Sequence, residues 1–176
     1  MSEWILLLRG VMPTGRNRVP MAPLRAALEA AGLRGVRTWI QSGNVIAHSR
    51  RGQASVERLV HDVIRETFGG DIAVLARPTG YVRDAVARNP FPDASPNQLF
   101  YTLLSRAPEP ARLQALLAHD GGAHRIHVDG DLAFVHCAGR YSDTRLNNAC
   151  IERKLAMPAT TRVANTIHKL LELCDA

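Results

Sequence analysis

Val36-Arg37-Thr38-Trp39-Ile40-Gln41-Ser42-Gly43-Asn44-Val45-Ile46-Ala47-His48 reads as two short strands, Val36–Ile40 and Asn44–His48, joined through Gln41-Ser42-Gly43. Both arms are rich in β-branched and aromatic residues, and the joint holds the small polar residues that turns use. Upstream, Met21–Ala31 is an alanine-rich helix with Leu24, Ala27, Leu28 and Ala31 on one face, and Gly32 ends it. The polar stretch Arg9–Pro20, with Gly10, Pro13, Gly15 and Asn17, is a long loop. Before it, Trp4–Leu8 is short and apolar on both faces, as a buried strand is. Downstream, Ser55–Phe68 places Val56, Leu59, Val60, Val63 and Ile64 on one helical face and stops at Gly69-Gly70. Ile72–Ala76 is a further strand. The order is β-α-β-β-α-β, that of a split βαβ or ferredoxin-like unit.

The second half nearly repeats it. After a short helix around Tyr81–Arg88 and the link Asn89-Pro90-Phe91-Pro92, Leu99–Leu104 is a strand and Ala111–Ala118 a helix. Arg125–Val128 and Leu132–His136 form a hairpin about Asp129-Gly130, a type I′ signal. Thr144–Leu155 and Thr161–Leu173 are expected as helices, so a helix stands where the last strand would be. The fold class expected is α+β: two ferredoxin-like subdomains, residues 1–90 and 91–176, packed into one compact unit. Apolar residues on both faces of Ile5–Leu8 and Leu99–Tyr101 require both sheet faces to be covered, most economically by each other. Loops, strand ends and helix termini are then the places left for a site. An RNA-recognition motif, which needs aromatics on an open sheet face, is disfavoured: the first half offers Trp4 and Trp39, but Val45-Ile46-Ala47 holds none.

The 176 residues suit such a unit and can bury a real core. No apolar run approaches the roughly 18 residues of a membrane span. A signal peptide is disfavoured because the residues before Ile5–Leu8 hold Glu3 and no Lys or Arg, and that apolar stretch is too short. Cys137, Cys150 and Cys174 are an odd number at unrelated spacings, which excludes a disulfide framework and a cysteine-built zinc site. A cytosolic protein with no membrane partner, no metal and no cofactor is expected, a monomer being favoured.

The charge is uneven. The net +6 lies in residues 1–90, which hold 13 arginines against 7 acids, whereas residues 91–176 hold 9 basic residues against 9 acids. Between Arg9 and Arg51 eight arginines face only Glu29. Such a field attracts phosphates and other anions. The other reading is compositional, since Lys154 and Lys169 are the only lysines and Arg would then be the default basic residue.

Leu7-Leu8-Arg9-Gly10, Thr38-Trp39-Ile40-Gln41-Ser42-Gly43-Asn44-Val45, Asn89-Pro90-Phe91-Pro92, and Glu152-Arg153-Lys154-Leu155 followed by Pro158-Ala159-Thr160-Thr161-Arg162 together resemble the domain of unknown function 1697 family of bacterial proteins. The resemblance implies an α+β fold with two ferredoxin-like subdomains and supplies neither substrate nor catalytic residues. Where the family commonly has Asn-Trp-Asn after Thr-Thr-Arg, this chain has Val163-Ala164-Asn165.

Three stretches could hold an anion. In the first loop, glycines let backbone N–H groups approach an oxyanion while Arg9, Arg16, Asn17 and Arg18 add contacts; the spacing is not that of a Walker loop, and a plain connection is the alternative. At the corner, Gln41, Ser42 and Asn44 would hydrogen-bond a polar ligand, or else Gly43 and Asn44 serve the turn alone. Third, Thr161 and Arg162 would open the last helix, where unpaired N–H groups and the dipole favour an anion; simple capping is the alternative. His127 and His136 share a face with Phe134 across the second hairpin but lack a third ligand. His136 and Cys137, as strand neighbours, face apart and form no nucleophilic pair.

The leading expectation is therefore a protein that binds a phosphate-bearing or otherwise anionic partner, a nucleic acid or a phosphorylated small molecule. The alternatives are an enzyme acting on a small phosphorylated or carboxylated substrate, weakened by the missing general base, and a protein–protein interaction module whose basic face is merely solvated.

Overall fold

The computed structural model describes all 176 residues. The fold is α+β, with two four-stranded antiparallel sheets and six helices. The chain divides into two compact units, Met1–Asp84 with Leu170–Ala176, and Ala85–Lys169.

The first unit runs β1 (Ser2–Leu8), α1 (Met21–Ala30), β2 (Arg34–Trp39), β3 (Asn44–Ser49), α2 (Gln53–Phe68) and β4 (Val74–Pro78), with α3 (Thr79–Ala87) following. Its sheet order is β2-β3-β1-β4. The period of two along β1 sends Trp4, Leu6 and Leu8 into a core with Val45 and Ala47 of β3, Val74 and Ala76 of β4, Leu24 and Leu28 of α1, and Val56, Val60 and Ile64 of α2. Ile5, Leu7, Ile46 and Leu75 alternate with these and are buried too. Trp4 thus belongs to the core, not to an open nucleic-acid platform.

The second unit runs β5 (Leu99–Leu104), α4 (Pro110–Leu117), β6 (Arg125–Asp129), β7 (Leu132–His136), α5 (Asn148–Leu155) and β8 (Ala159–Val163). Its sheet order is β6-β7-β5-β8, the same pattern as the first. Leu104, Val135 and Ala159 meet Leu116 of α4 and Ile151 and Leu155 of α5 in its core.

Three expectations are corrected. Thr161 and Arg162 do not open a helix: they lie in β8, and the last helix, α6, is Ala164–Cys174. Threonine suits a helix cap and a strand equally well, and pairing with β5 decides, setting Thr161 opposite Thr102 and Val163 opposite Phe100. The helix expected from Thr144 starts at Asn148, because the Asn147 side chain caps it by accepting the Cys150 N–H at 2.9 Å, while the Thr144 hydroxyl accepts Leu146 N–H at 3.0 Å in a local turn. In the second hairpin Asp129 pairs with Leu132, so the loop is Gly130-Asp131. Only Gly130, at φ +60°, has positive φ there, which makes the turn type II′ rather than I′. His127, His136 and Phe134 still share a face, His127 lying directly opposite Phe134.

Candidate functional site: an arginine-lined hollow

The first loop and the Gln41 corner come together in the first unit. The Gln41 amide donates to the Val19 carbonyl at 2.7 Å, and Leu8 N–H donates to the Gly43 carbonyl at 2.8 Å. Asn44, fully buried, donates to the Trp39 carbonyl at 3.1 Å and the Ser42 hydroxyl at 2.9 Å. These bonds give Gln41, Ser42 and Asn44 a structural role: the corner is pinned, and it pins the loop.

The loop is itself closed. Met12 N–H donates to Asn17 O at 3.0 Å, Arg18 N–H to Gly15 O at 3.1 Å, and Arg9 N–H to Ala73 O at 2.9 Å. Three of the backbone donors a phosphate cradle would need are thereby committed. Arg9 and Asn17 are half-buried, whereas Arg16 and Arg18 are exposed.

Thr161 and Arg162 belong to the second unit. The Thr161 hydroxyl lies 2.8 Å from that of Thr102 and donates to Asn148 Oδ1 at 2.9 Å, and the Asn148 amide donates to the Ala159 carbonyl at 3.0 Å. The Arg162 guanidinium donates to the Thr160 hydroxyl at 2.8 Å and the Thr161 carbonyl at 2.9 Å. This network ties β5, α5 and β8 together.

The arginines between Arg9 and Arg51 also divide. Arg25 donates to the Thr38 hydroxyl at 2.7 Å. Arg37 pairs with Glu3 at 2.8 Å and donates to the Leu173 carbonyl. Arg16, Arg18, Arg34, Arg50 and Arg51 are exposed. Of these, Arg34, Arg50 and Arg51 line a hollow of about 400 Å³ with Met1, Gly32 and Ser49. No acidic side chain and no aromatic ring is among the lining residues.

Hairpin register builds this hollow. Arg34 pairs with His48 across β2 and β3, which brings the start of β2 beside the chain that leaves β3 through Arg50 and Arg51 towards α2. Ser49, only 5% exposed, accepts Arg51 N–H on its hydroxyl at 3.0 Å and fixes that turn. Guanidinium groups stay charged at any physiological pH and match phosphate oxygens in bidentate fashion.

No motif marks these three arginines. A signal is nonetheless present in the sequence: counting back from the Gln41-Ser42-Gly43 corner sets Arg34 against Ser49, which a register shift between Arg34 and Arg37 changes to His48, and either pairing lies near Arg50-Arg51. Glu57 and Arg77 carry no motif either. Glu57 Oε1 accepts Ala76 N–H at 2.8 Å and lies 3.7 Å from the buried Arg77, whose guanidinium donates to the Ala76 carbonyl at 2.8 Å and lies over the Tyr81 ring. Among the cysteines, burial pushes the Cys174 thiol up to about 11 and raises that of Cys137, so neither supplies a thiolate nucleophile at neutral pH.

A two-unit α+β protein with a cationic hollow is thus the class that fold and site define. The chain belongs to the family described as protein of unknown function (DUF1697), whose model matches residues 1–134. That match takes in the Leu7, Thr38 and Asn89 stretches and ends before Glu152. Among solved structures, the conserved bacterial protein SP0830 from Streptococcus pneumoniae is similar over 100% of this chain and 99% of its own, at 20% identity and a TM-score of 0.78. That likeness shows the fold alone. No curated protein matches the chain.

Proposed function

We propose that this protein binds a phosphate-bearing or otherwise anionic partner, a nucleic acid or a nucleotide, through its first unit. The observation that carries the reading is the convergence of Arg34, Arg50 and Arg51 on one hollow with no carboxylate in its lining. Surface arginines retained only by composition would be interspersed with acids, as in residues 91–176. A cytosolic setting fits the three free thiols of Cys137, Cys150 and Cys174. We also read each unit as ferredoxin-like, on the order β-α-β-β-α-β and the shared strand pattern β2-β3-β1-β4 and β6-β7-β5-β8.

Fluorescence anisotropy with labelled nucleotide and labelled oligonucleotide, at several salt concentrations, tests the reading. Binding should weaken as salt rises, and replacing Arg34, Arg50 and Arg51 with Gln should remove it with the melting temperature unchanged. On duplex DNA each lost phosphate contact would flatten the slope of log K against log salt by about 0.9. Absence of binding to every anionic probe at low salt would overturn the proposal.

A further inference from the structure

We infer that the hollow at the open end of the β2–β3 hairpin is a site for a compact phosphate chain, a di- or triphosphate group, held by charge with no reading of any base attached to it. The inference rests on the anion-binding reading above and narrows its ligand. Three arginines, each with one positive charge, line the hollow. A single phosphate ester carries about −1.5 to −2 at neutral pH and leaves part of that charge unmet, whereas a chain of two or three phosphates meets all of it. Size agrees. About 400 Å³ lies within the usual range of small-ligand pockets and is more than one phosphate fills.

The lining also says what is not recognised. Base selection uses an aromatic face to stack on, an amide or carboxylate at the base edge, or an arginine on guanine O6 and N7. Met1, Gly32, Arg34, Ser49, Arg50 and Arg51 offer no ring, amide or carboxylate side chain, and three arginines engaged by a phosphate chain leave none over for guanine. An extended strand of nucleic acid would need its cations spaced along a track, yet the other exposed arginines of this segment, Arg16 and Arg18, lie in the loop before α1 and outside the lining. Preorganisation favours the chain as well. The buried Ser49 hydroxyl holds the Arg51 backbone, and the Arg34–His48 pairing holds β2 beside it, so less order is lost when a ligand is gripped.

Isothermal titration of the full-length protein, at one fixed low salt, with inorganic tripolyphosphate, pyrophosphate and orthophosphate tests this. ATP, GTP and UTP, and an oligonucleotide without a terminal phosphate, complete the series. Tripolyphosphate should bind about tenfold or more tightly than orthophosphate, the size of one additional charge-assisted contact. The three nucleotides should be indistinguishable from one another. Arg50→Gln/Arg51→Gln and, separately, Arg34→Gln should each weaken tripolyphosphate about tenfold or more, while Arg16→Gln/Arg18→Gln leaves it unchanged. Circular dichroism melts confirm that the variants are folded. Equal affinity for orthophosphate, or a marked preference among the nucleotides, would overturn the phosphate-chain site. So would tight oligonucleotide binding that depends on Arg16 and Arg18 with tripolyphosphate inert, although anion binding by the first unit would then stand. Failure of every anion to bind would overturn both.

Discussion

Gly43 shows how one residue ties the corner to the core. Its φ of +79° is left-handed, and a Cβ there would lie 2.6 Å from Leu8 Cβ and 2.8 Å from Val11 Cγ2. Gly43→Ala therefore meets both backbone strain and overpacking, together about 2–4 kcal/mol of lost stability. Urea unfolding of the variant should show a midpoint shift of that order, and an unshifted midpoint would contradict the close approach. The same corner shows where residue-level reading stops. Turn chemistry explains Gly43 and Asn44 from sequence, but it does not ask for Gln41. The reason for Gln41 is a carbonyl 22 residues earlier, on Val19, and no local rule carries that partner.

At the scale of elements, hydrophobic period places β1, α1, α2, β5 and β7 to within a few residues, because each buries a continuous face. It fails where two structures want the same residues. Ala159–Val163 is a strand because β5 supplies a partner, and a partner so distant in sequence leaves no local trace. The segment between α2 and β4 carries a titratable tie of its own. His61 on α2 lies 3.0 Å from Asp71 and 3.3 Å from Asp62, which Arg65 also contacts at 3.1 Å. The Asp71 carboxylate raises the His61 pKa above its ordinary 6.5, against a smaller desolvation effect and with help from Asp62. His61 in turn holds the Asp71 carboxyl below its ordinary range, with Arg16 and Arg65 adding to the effect. A raised histidine pKa stabilises the fold fully below the unfolded value, and that stability is lost as pH rises through the folded value. The lowered Asp71 contributes above its unfolded value and loses its share as pH falls through the folded one. The melting-temperature gap between wild type and His61→Gln should thus be widest in mildly acidic buffer and close towards alkaline pH. A gap independent of pH would show that the tie does not titrate.

For the whole molecule, the charge asymmetry is legible in the sequence itself, since eight arginines against Glu29 need only counting. Which of them face a ligand is not legible there, because that depends on partners distant along the chain. Arg37 meets Glu3 across the sheet and the carbonyl of Leu173 near the far end of the chain, and Arg25 meets Thr38. What remains exposed is Arg16 and Arg18 on the loop, and Arg34, Arg50 and Arg51 around the hollow. The most direct test reads those side chains individually, through the arginine Nε–Hε signals of the ¹⁵N-labelled protein during titration with tripolyphosphate. Saturable shifts at Arg34, Arg50 and Arg51, with Arg112 and Arg153 of the second unit unmoved, are the predicted result. Shifts spread evenly over exposed arginines of both units, or none at the hollow, would contradict it.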